Sequence, residues 1–150
     1  MVIFFQSCLT EKDSNIKIIR EENNGRMNII PSEIYIYQNN ILLENINNVK
    51  IYDIDNKMLI NQIKNNVIVL FGGNKAFFKL LPGEYSIKIN TPIIEQQNYL
   101  EETNNWESKL YNINIKHGEE NILYIYPGIN EKGYNGSWII SSLAPQSRTP

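Results

Sequence analysis

The chain has 150 residues, 42% of them hydrophobic and 20% charged, and its formal net charge at pH 7 is -2. This length and composition fit a single globular domain with a sizeable core. A nearly neutral chain lacks the basic balance typical of nucleic-acid-binding domains, and its lysines are scattered along the sequence, so neither a nucleic-acid partner nor a basic membrane patch is predicted.

The chain starts with an apolar run from Met1 to Phe5, followed by Gln6, Ser7 and the only cysteine, Cys8. A small residue before a cysteine, with a polar segment after it, resembles the end of a bacterial lipoprotein signal, in which the cysteine becomes the acylated first residue of the mature protein. A complete signal has a basic segment and an apolar region of about 7–15 residues. The lipoprotein interpretation therefore expects the true start upstream of Met1; the alternative is that Cys8 is an ordinary thiol.

The middle of the chain alternates apolar and polar residues in short runs, which predicts strands. The runs at residues 49–54 and 57–63 flank Asp55-Asn56 and predict a hairpin. The stretch 76–90 predicts another hairpin with buried faces at 76, 78 and 80 and at 85, 87 and 89. Its Pro82-Gly83 pair is typical of a type II turn.

Residues 93–108 are the longest stretch without a strand pattern and predict a loop or one short helix. Residues 109–116 and 121–126 then predict a strand pair turned at His117-Gly118, with Tyr111, Ile113 and Ile115 facing inward. The regular spacing of strands predicts an all-β fold, an antiparallel β-sandwich of about eight or nine strands. The domain plan is a signal remnant at 1–8, a tether or edge strand at 9–28, the sandwich at 29–143 and a disordered tail at 144–150.

Two segments carry a resemblance: Phe78 to Ile87, which contains Pro82-Gly83-Glu84-Tyr85, and the tyrosine-rich strand pair from Tyr111 to Tyr126. They look like small bacterial lipoprotein domains of unknown function, related to PEGA and transthyretin-like modules. The resemblance covers roughly residues 34–127 and implies a β-sandwich located in the cell envelope. It implies no catalytic residues, because the family has no established ones.

No reactive constellation stands out in the sequence. His117 is the only histidine, which excludes a site of several histidines, and the residues after Asp53 and Asp55 do not fit a calcium loop. The acidic pairs at 101–102 and 119–120 could supply carboxylates for glycoside hydrolysis, but nothing in the sequence places them opposite each other. We therefore expect no enzyme activity, no metal and no cofactor.

Aromatic residues are the one surplus with binding potential. Tyrosine alternates with isoleucine, so some rings face away from the core and could bind a sugar or a protein; the alternative is that they pack across strands. Trp106 is expected either to pack down the segment before it or to bind a ligand. The possible binding residues are Tyr35, Tyr37, Trp106, Tyr124 and Tyr126. The expected function is a non-catalytic envelope lipoprotein, an interaction or structural module held at the membrane by a lipid on Cys8; the alternative is a glycan-binding module that uses the tyrosines.

Overall fold

The computed structural model describes residues 14–23, 25–44, 46, 48–59, 63–64, 67–92 and 106–145. These residues form thirteen β-strands and one 3-10 helix, Gly25–Ile29. The strands are β1 (Ser14–Arg20), β2 (Ser32–Gln38), β3 (Ile41–Leu42), β4 (Lys50–Tyr52), β5 (Met58–Leu59), β6 (Ile63–Lys64), β7 (Val67–Leu70), β8 (Lys75–Leu80), β9 (Gly83–Thr91), β10 (Trp106–Glu107), β11 (Tyr111–Ile115), β12 (Glu120–Asn130) and β13 (Gly133–Ser141). The prediction of an all-β protein is confirmed. Within the described residues, no helix is long and apolar enough to cross a membrane.

The strands join into one curled sheet with the shape of a half-barrel. Its strand order is β5-β4-β8-β1-β12-β13-β10-β9-β2-β7-β6, with β11 added to β9 and β3 added to β2. β1 runs parallel to β12 and β10 parallel to β13, so the sheet is mixed rather than purely antiparallel. The strands also outnumber the eight or nine predicted, because β3, β6 and β10 have two residues each and carry too little pattern to be recognised in the sequence.

One hydrophobic core covers the inward side of the sheet. Along β1, β2 and β9 every second residue is buried, and most of those residues are isoleucines, whose branched side chains favour extended backbone. Ile18, Ile36, Ile87 and Leu123 are at most 1% exposed. The outward sides of β2 and β9 carry polar, charged and tyrosine side chains.

The stretch 76–90 is not a hairpin, although its predicted inward faces are correct. β8 pairs with β1 and β4, whereas β9 pairs with β2, β10 and β11. The chain at Pro82 therefore crosses between two halves of the sheet. Gly83, with φ of 152°, begins β9 instead of occupying a type II turn, which needs φ near +80°. Alternation is the same whichever strand a segment pairs with, so the pattern could not identify the partners.

The strands on either side of His117-Gly118 also pair with other partners. β11 pairs with β9, while β12 lies between β1 and β13 in the sheet. β12 continues through Pro127 and Gly128, where the register shifts before Ile129, and then forms a hairpin with β13. This irregularity is how β12 accommodates a proline and a glycine just beyond the predicted run at 121–126. The hairpin predicted at Asp55-Asn56 is confirmed by the pairing of β4 with β5.

β1 is an inner strand, paired with β8 on one side and β12 on the other. The prediction of a tether or edge strand over residues 9–28 is therefore wrong from Ser14 onward, because Ile16, Ile18 and the helical Met27 are all buried in the core. Trp106 and Glu107 are in a strand and not in the helix allowed for 93–108. The predicted signal remnant at 1–8, the rest of that segment at 93–105 and the last residues of the tail at 146–150 lie outside the described residues.

Candidate functional site

Tyr35 and Tyr37 lie on the outward side of β2, as the alternation with isoleucine predicted, and both rings are half-buried. The hydroxyl of Tyr35 donates a hydrogen bond to Oε1 of Glu33 at 2.8 Å. Burial and this hydrogen bond raise the pKa of Tyr35 to about 12. Lys88 lies directly opposite Tyr35 on β9, and its Nζ is 2.8 Å from Oε1 of Glu107. The hydroxyl of Tyr35 is therefore held by Glu33, beside the separate ion pair of Lys88 with Glu107.

Tyr37 borders a groove of about 460 Å³ at the end of this half of the sheet, which we call the Tyr37 groove. Its other outward-facing lining side chains are amides, a hydroxyl and a carboxylate: Asn39, Asn40, Asn112, Asn114, Ser86 and Glu84. The hydroxyl of Ser86 donates to Oδ1 of Asn112 at 2.7 Å across β9 and β11. Such a lining offers several donors and acceptors beside one aromatic ring.

The Asn39-Asn40 turn gives the Tyr37 groove one of its walls. Both asparagines have positive φ, 54° and 62°, as a two-residue type I′ hairpin turn requires. Tyr37 pairs with Leu42 across this turn. Nothing in the sequence indicates that Asn112 and Asn114 lie beside this turn, because that contact depends on the pairing of β11 with β9.

Trp106 is a packing residue and not a binding residue. It is 5% exposed, and its ring centre lies 5.7 Å from that of Trp138 and 6.5 Å from that of Tyr134. β10 brings Trp106 to the core by pairing with the end of β9, where it lies opposite Thr91. Its possible role as a ligand-binding residue is therefore excluded by burial.

Tyr124 and Tyr126 lie on the outward side of β12, in the other half of the sheet. The strand order places β13, β10 and β9 between β12 and β2. At about 4.8 Å per strand, roughly 19 Å of sheet separates these two tyrosines from Tyr35 and Tyr37. The predicted aromatic residues therefore form two separate surfaces and do not form one site.

Four lysines that are far apart in sequence are brought together around Phe77, contrary to the expectation of scattered charges. Lys17 on β1 and Lys50 on β4 lie directly opposite Phe77 on its two sides. Lys75 and Lys79 precede and follow Phe77 by two residues on β8, so they share its outward side. We call this surface the lysine face. The alternation of β8 predicted part of it, but the neighbouring strands could not be known from the sequence.

The remaining sequence candidates do not assemble into a reactive site. His117 is exposed in a turn, and Oδ1 of Asp53 accepts hydrogen bonds from the backbone N–H groups of Asp55 and Lys57. Among the described residues, no group of three or more histidine, cysteine, aspartate or glutamate side chains is placed to hold a metal ion. Cys8 and the acidic pair at 101–102 lie outside the described residues.

Comparison with protein-family models, with curated proteins and with solved structures finds no match to this chain. The resemblance to PEGA and transthyretin-like lipoprotein domains therefore stays a prediction that rests on the residues quoted for it.

Proposed function

We propose that this chain is a non-catalytic binding module of the bacterial cell envelope, held at a membrane by a lipid on Cys8, and that its ligand occupies the Tyr37 groove. The observation that carries the binding role is the lining of that groove. A half-buried tyrosine ring lies beside four asparagines, a serine and a glutamate on the open side of the sheet. In the same proposal the curled sheet corresponds to the two layers of a PEGA-like or transthyretin-like sandwich.

The chemistry of the Tyr37 groove favours a glycan over a protein partner. Amide, hydroxyl and carboxylate groups can exchange hydrogen bonds with sugar hydroxyls, and the Tyr37 ring offers an apolar surface for a sugar face. The energetic centres of protein interfaces are instead enriched in tryptophan, tyrosine and arginine packed in dry surroundings. A protein partner at this groove is the second candidate, and it is favoured by the exposed Leu42 opposite Tyr37.

A glycan array probed with the whole chain tests the binding role. We expect binding to one class of glycan, and we expect Tyr37→Ala and Asn112→Ala each to weaken it by about ten-fold or more. Tyr124→Ala is the matched control, because Tyr124 is a half-buried outward tyrosine in the other half of the sheet. Equal loss in the control, or no glycan binding at all, would remove the groove as a glycan site.

The anchor is tested separately. The protein is expressed from its true initiation codon in a bacterial host that processes lipoproteins, with radioactive fatty acid in the medium. We expect labelling and partition into detergent, and we expect neither for Cys8→Ala. An unlabelled, soluble wild-type protein would contradict the envelope assignment while leaving the groove untouched.

A further inference from the structure

We propose that the lysine face binds the anionic surface of a lipid bilayer, so that the domain lies against the membrane with the Tyr37 groove in the other half of the sheet. This inference rests on the proposed lipid anchor for its cellular setting, but the binding itself needs no lipid on the protein. The proposed partner is the negatively charged headgroup layer of the membrane that holds the anchor.

The geometry of the sheet concentrates positive charge on this face. Lys17 and Lys50 lie one strand to either side of Phe77, at about 5 Å between Cα atoms, and Lys75 and Lys79 lie about 7 Å away along β8. The Nζ of Lys17 is 5.3 Å from the centre of the Phe77 ring. Three of these lysines, Lys17, Lys50 and Lys79, also line an open groove of about 480 Å³. An anionic headgroup placed there would meet several ammonium groups at once.

None of these four lysines takes part in a salt bridge within the described residues. In the described part of the chain, the one salt bridge joins Lys88 to Glu107, in the other half of the sheet. Glu120 is the carboxylate that lines the 480 Å³ groove. The Nζ of Lys75 donates to Oδ1 of Asn56 at 2.9 Å, which is a neutral partner. Because the whole chain carries a net charge of -2, the positive potential of this face is a local property created by the fold.

Apolar side chains interleave with the lysines, which favours a bilayer over a soluble anionic chain. Tyr52 lies opposite Lys75 on the outward side, and Met58 lies opposite Tyr52 with 54% of its surface exposed. On the other side of β1, Tyr124 lies opposite Ile19 and is half-buried. Tyrosine is enriched at membrane interfaces, where its ring lies at the level of the headgroups, and lysine is attracted to anionic headgroups. This gives the sequence-predicted Tyr124 a place at the margin of the lysine face.

The length of chain before β1 brings this face to the membrane. Ser14 pairs with Leu80, so β1 begins at the same end of the sheet as Lys79. From Cys8 to Ser14 the chain can span at most about 20 Å when fully extended. A lipid on Cys8 therefore holds the start of β1 no more than about 20 Å from the headgroups, so that the lysine face can come into direct contact with them. A basic patch adds electrostatic attraction to the anionic headgroups beside the attachment that the lipid provides.

The test uses the full chain carrying Cys8→Ala, so that acylation plays no part, in a vesicle sedimentation assay. One vesicle preparation contains phosphatidylcholine alone, and the other contains equal parts of phosphatidylcholine and phosphatidylglycerol. We expect the protein to sediment with the anionic vesicles and not with the vesicles of phosphatidylcholine. Added salt should abolish this sedimentation. Adding both Lys17→Gln and Lys50→Gln to the Cys8→Ala protein should weaken its binding to anionic vesicles by about 25-fold, which is roughly five-fold for each lysine.

The matched control pair is Lys109→Gln with Lys132→Gln, which removes the same charge from exposed positions away from the lysine face. Equal weakening by the control pair would refute a specific lysine face. Binding to neutral vesicles as strongly as to anionic ones would refute the electrostatic basis. Capture of soluble heparin without vesicle binding would assign the face to a soluble anionic polymer instead. Failed vesicle binding with intact fatty-acid labelling of the wild type overturns this inference and leaves the proposed anchor in place.

Discussion

The guanidinium carbon of Arg20 lies 4.5 Å from the centre of the Trp138 ring. Both side chains are buried, and the guanidinium donates hydrogen bonds to the carbonyl oxygens of Met27 and Ile30 and to Oγ of Ser32, at 2.6, 2.7 and 2.8 Å. In the described residues these are neutral partners, and burial lowers the pKa of Arg20 to about 9. The side chain is therefore still charged at neutral pH, and its charge is stabilised by carbonyl dipoles and by the indole ring.

This contact joins the two halves of the curled sheet. Arg20 ends β1, while its hydrogen-bond partners come from the 3-10 helix and the start of β2. Trp138 belongs to β13, and its Nε1 donates to Oγ1 of Thr91 at the end of β9 at 2.8 Å. Arg20 could not be singled out from its position in the sequence, since an arginine after a run of isoleucines is usually at the surface.

We predict that Arg20→Met destabilises the protein by on the order of 3 kcal/mol, because the carbonyl oxygens of Met27 and Ile30 lose a charged donor inside the core. Arg20→Lys should rescue only part of the loss, since a single ammonium cannot span the same acceptors. The free energy of unfolding in urea measures both. Lys109→Met is the control at an exposed position and should change it by less than about 0.5 kcal/mol. A wild-type value for Arg20→Met would show that the guanidinium network contributes nothing.

Tyr35 should titrate later than an ordinary tyrosine, because burial and the hydrogen bond to Glu33 raise its pKa from 10.0 to about 12. Between these values the unfolded chain has lost the proton and the folded chain retains it, so stability falls as pH rises through this range. Ultraviolet absorbance of phenolate should show a component that titrates near pH 12 and that Tyr35→Phe removes.

Glu33→Gln should lower the pKa of Tyr35, because it removes a charged acceptor. Glu84→Gln removes a carboxylate from the same half of the sheet that does not bond to Tyr35, and it should leave the titration unchanged. A late phenolate that persists in Tyr35→Phe would belong to another tyrosine.

Gly72 touches the backbone of Asn28 so closely that a side chain has no room. A Cβ there would lie 2.0 Å from Oδ1 and 2.7 Å from Cα of Asn28. Asn28 cannot move away easily, because hydrogen bonds hold it on two sides. Its side-chain amide bonds to the backbone of Asn23, and its backbone carbonyl oxygen accepts a hydrogen bond from the N–H of Gly72. We predict that Gly72→Ala lowers the free energy of unfolding by about 1–3 kcal/mol.

The matched glycine is Gly25, where a Cβ would meet nothing within 4 Å. Gly25→Ala should therefore leave the urea midpoint close to that of the wild type. Equal effects of the two substitutions would mean that the backbone contact at Gly72 relaxes without cost.

The inward and outward faces of single strands were largely predictable from the sequence, and the partners of those strands were not. Phe78, Ile87 and Ile115 are buried and Asn112 and Asn114 are exposed, as alternation predicted. Pairing depends on contacts between residues far apart in the chain, such as Lys17 with Phe77. A local pattern holds no information on these contacts.

The same limit explains what was missed in the candidate surfaces. The Tyr37 groove and the lysine face are each assembled from three strands that are distant in sequence. In the sequence, their asparagines and lysines cannot be distinguished from other surface residues of the same types. Tyr35 and Tyr37 could be predicted as outward-facing, because a strand with isoleucine at every second position fixes its other face.

The place of β1 supplies the last prediction. Ile18 is fully buried between β8 and β12, whereas a tether would leave it in water. Ile18→Ala should therefore cost about 2–5 kcal/mol of unfolding free energy, the range for truncating a large side chain in a packed core. Ile29→Ala is the matched control, since Ile29 is 57% exposed and precedes β2 by only a few residues. Urea unfolding of the two variants measures the difference directly. If Ile18→Ala unfolded at the wild-type midpoint, residues 14–20 would be a tether after all, and the lysine contributed by β1 would leave the lysine face.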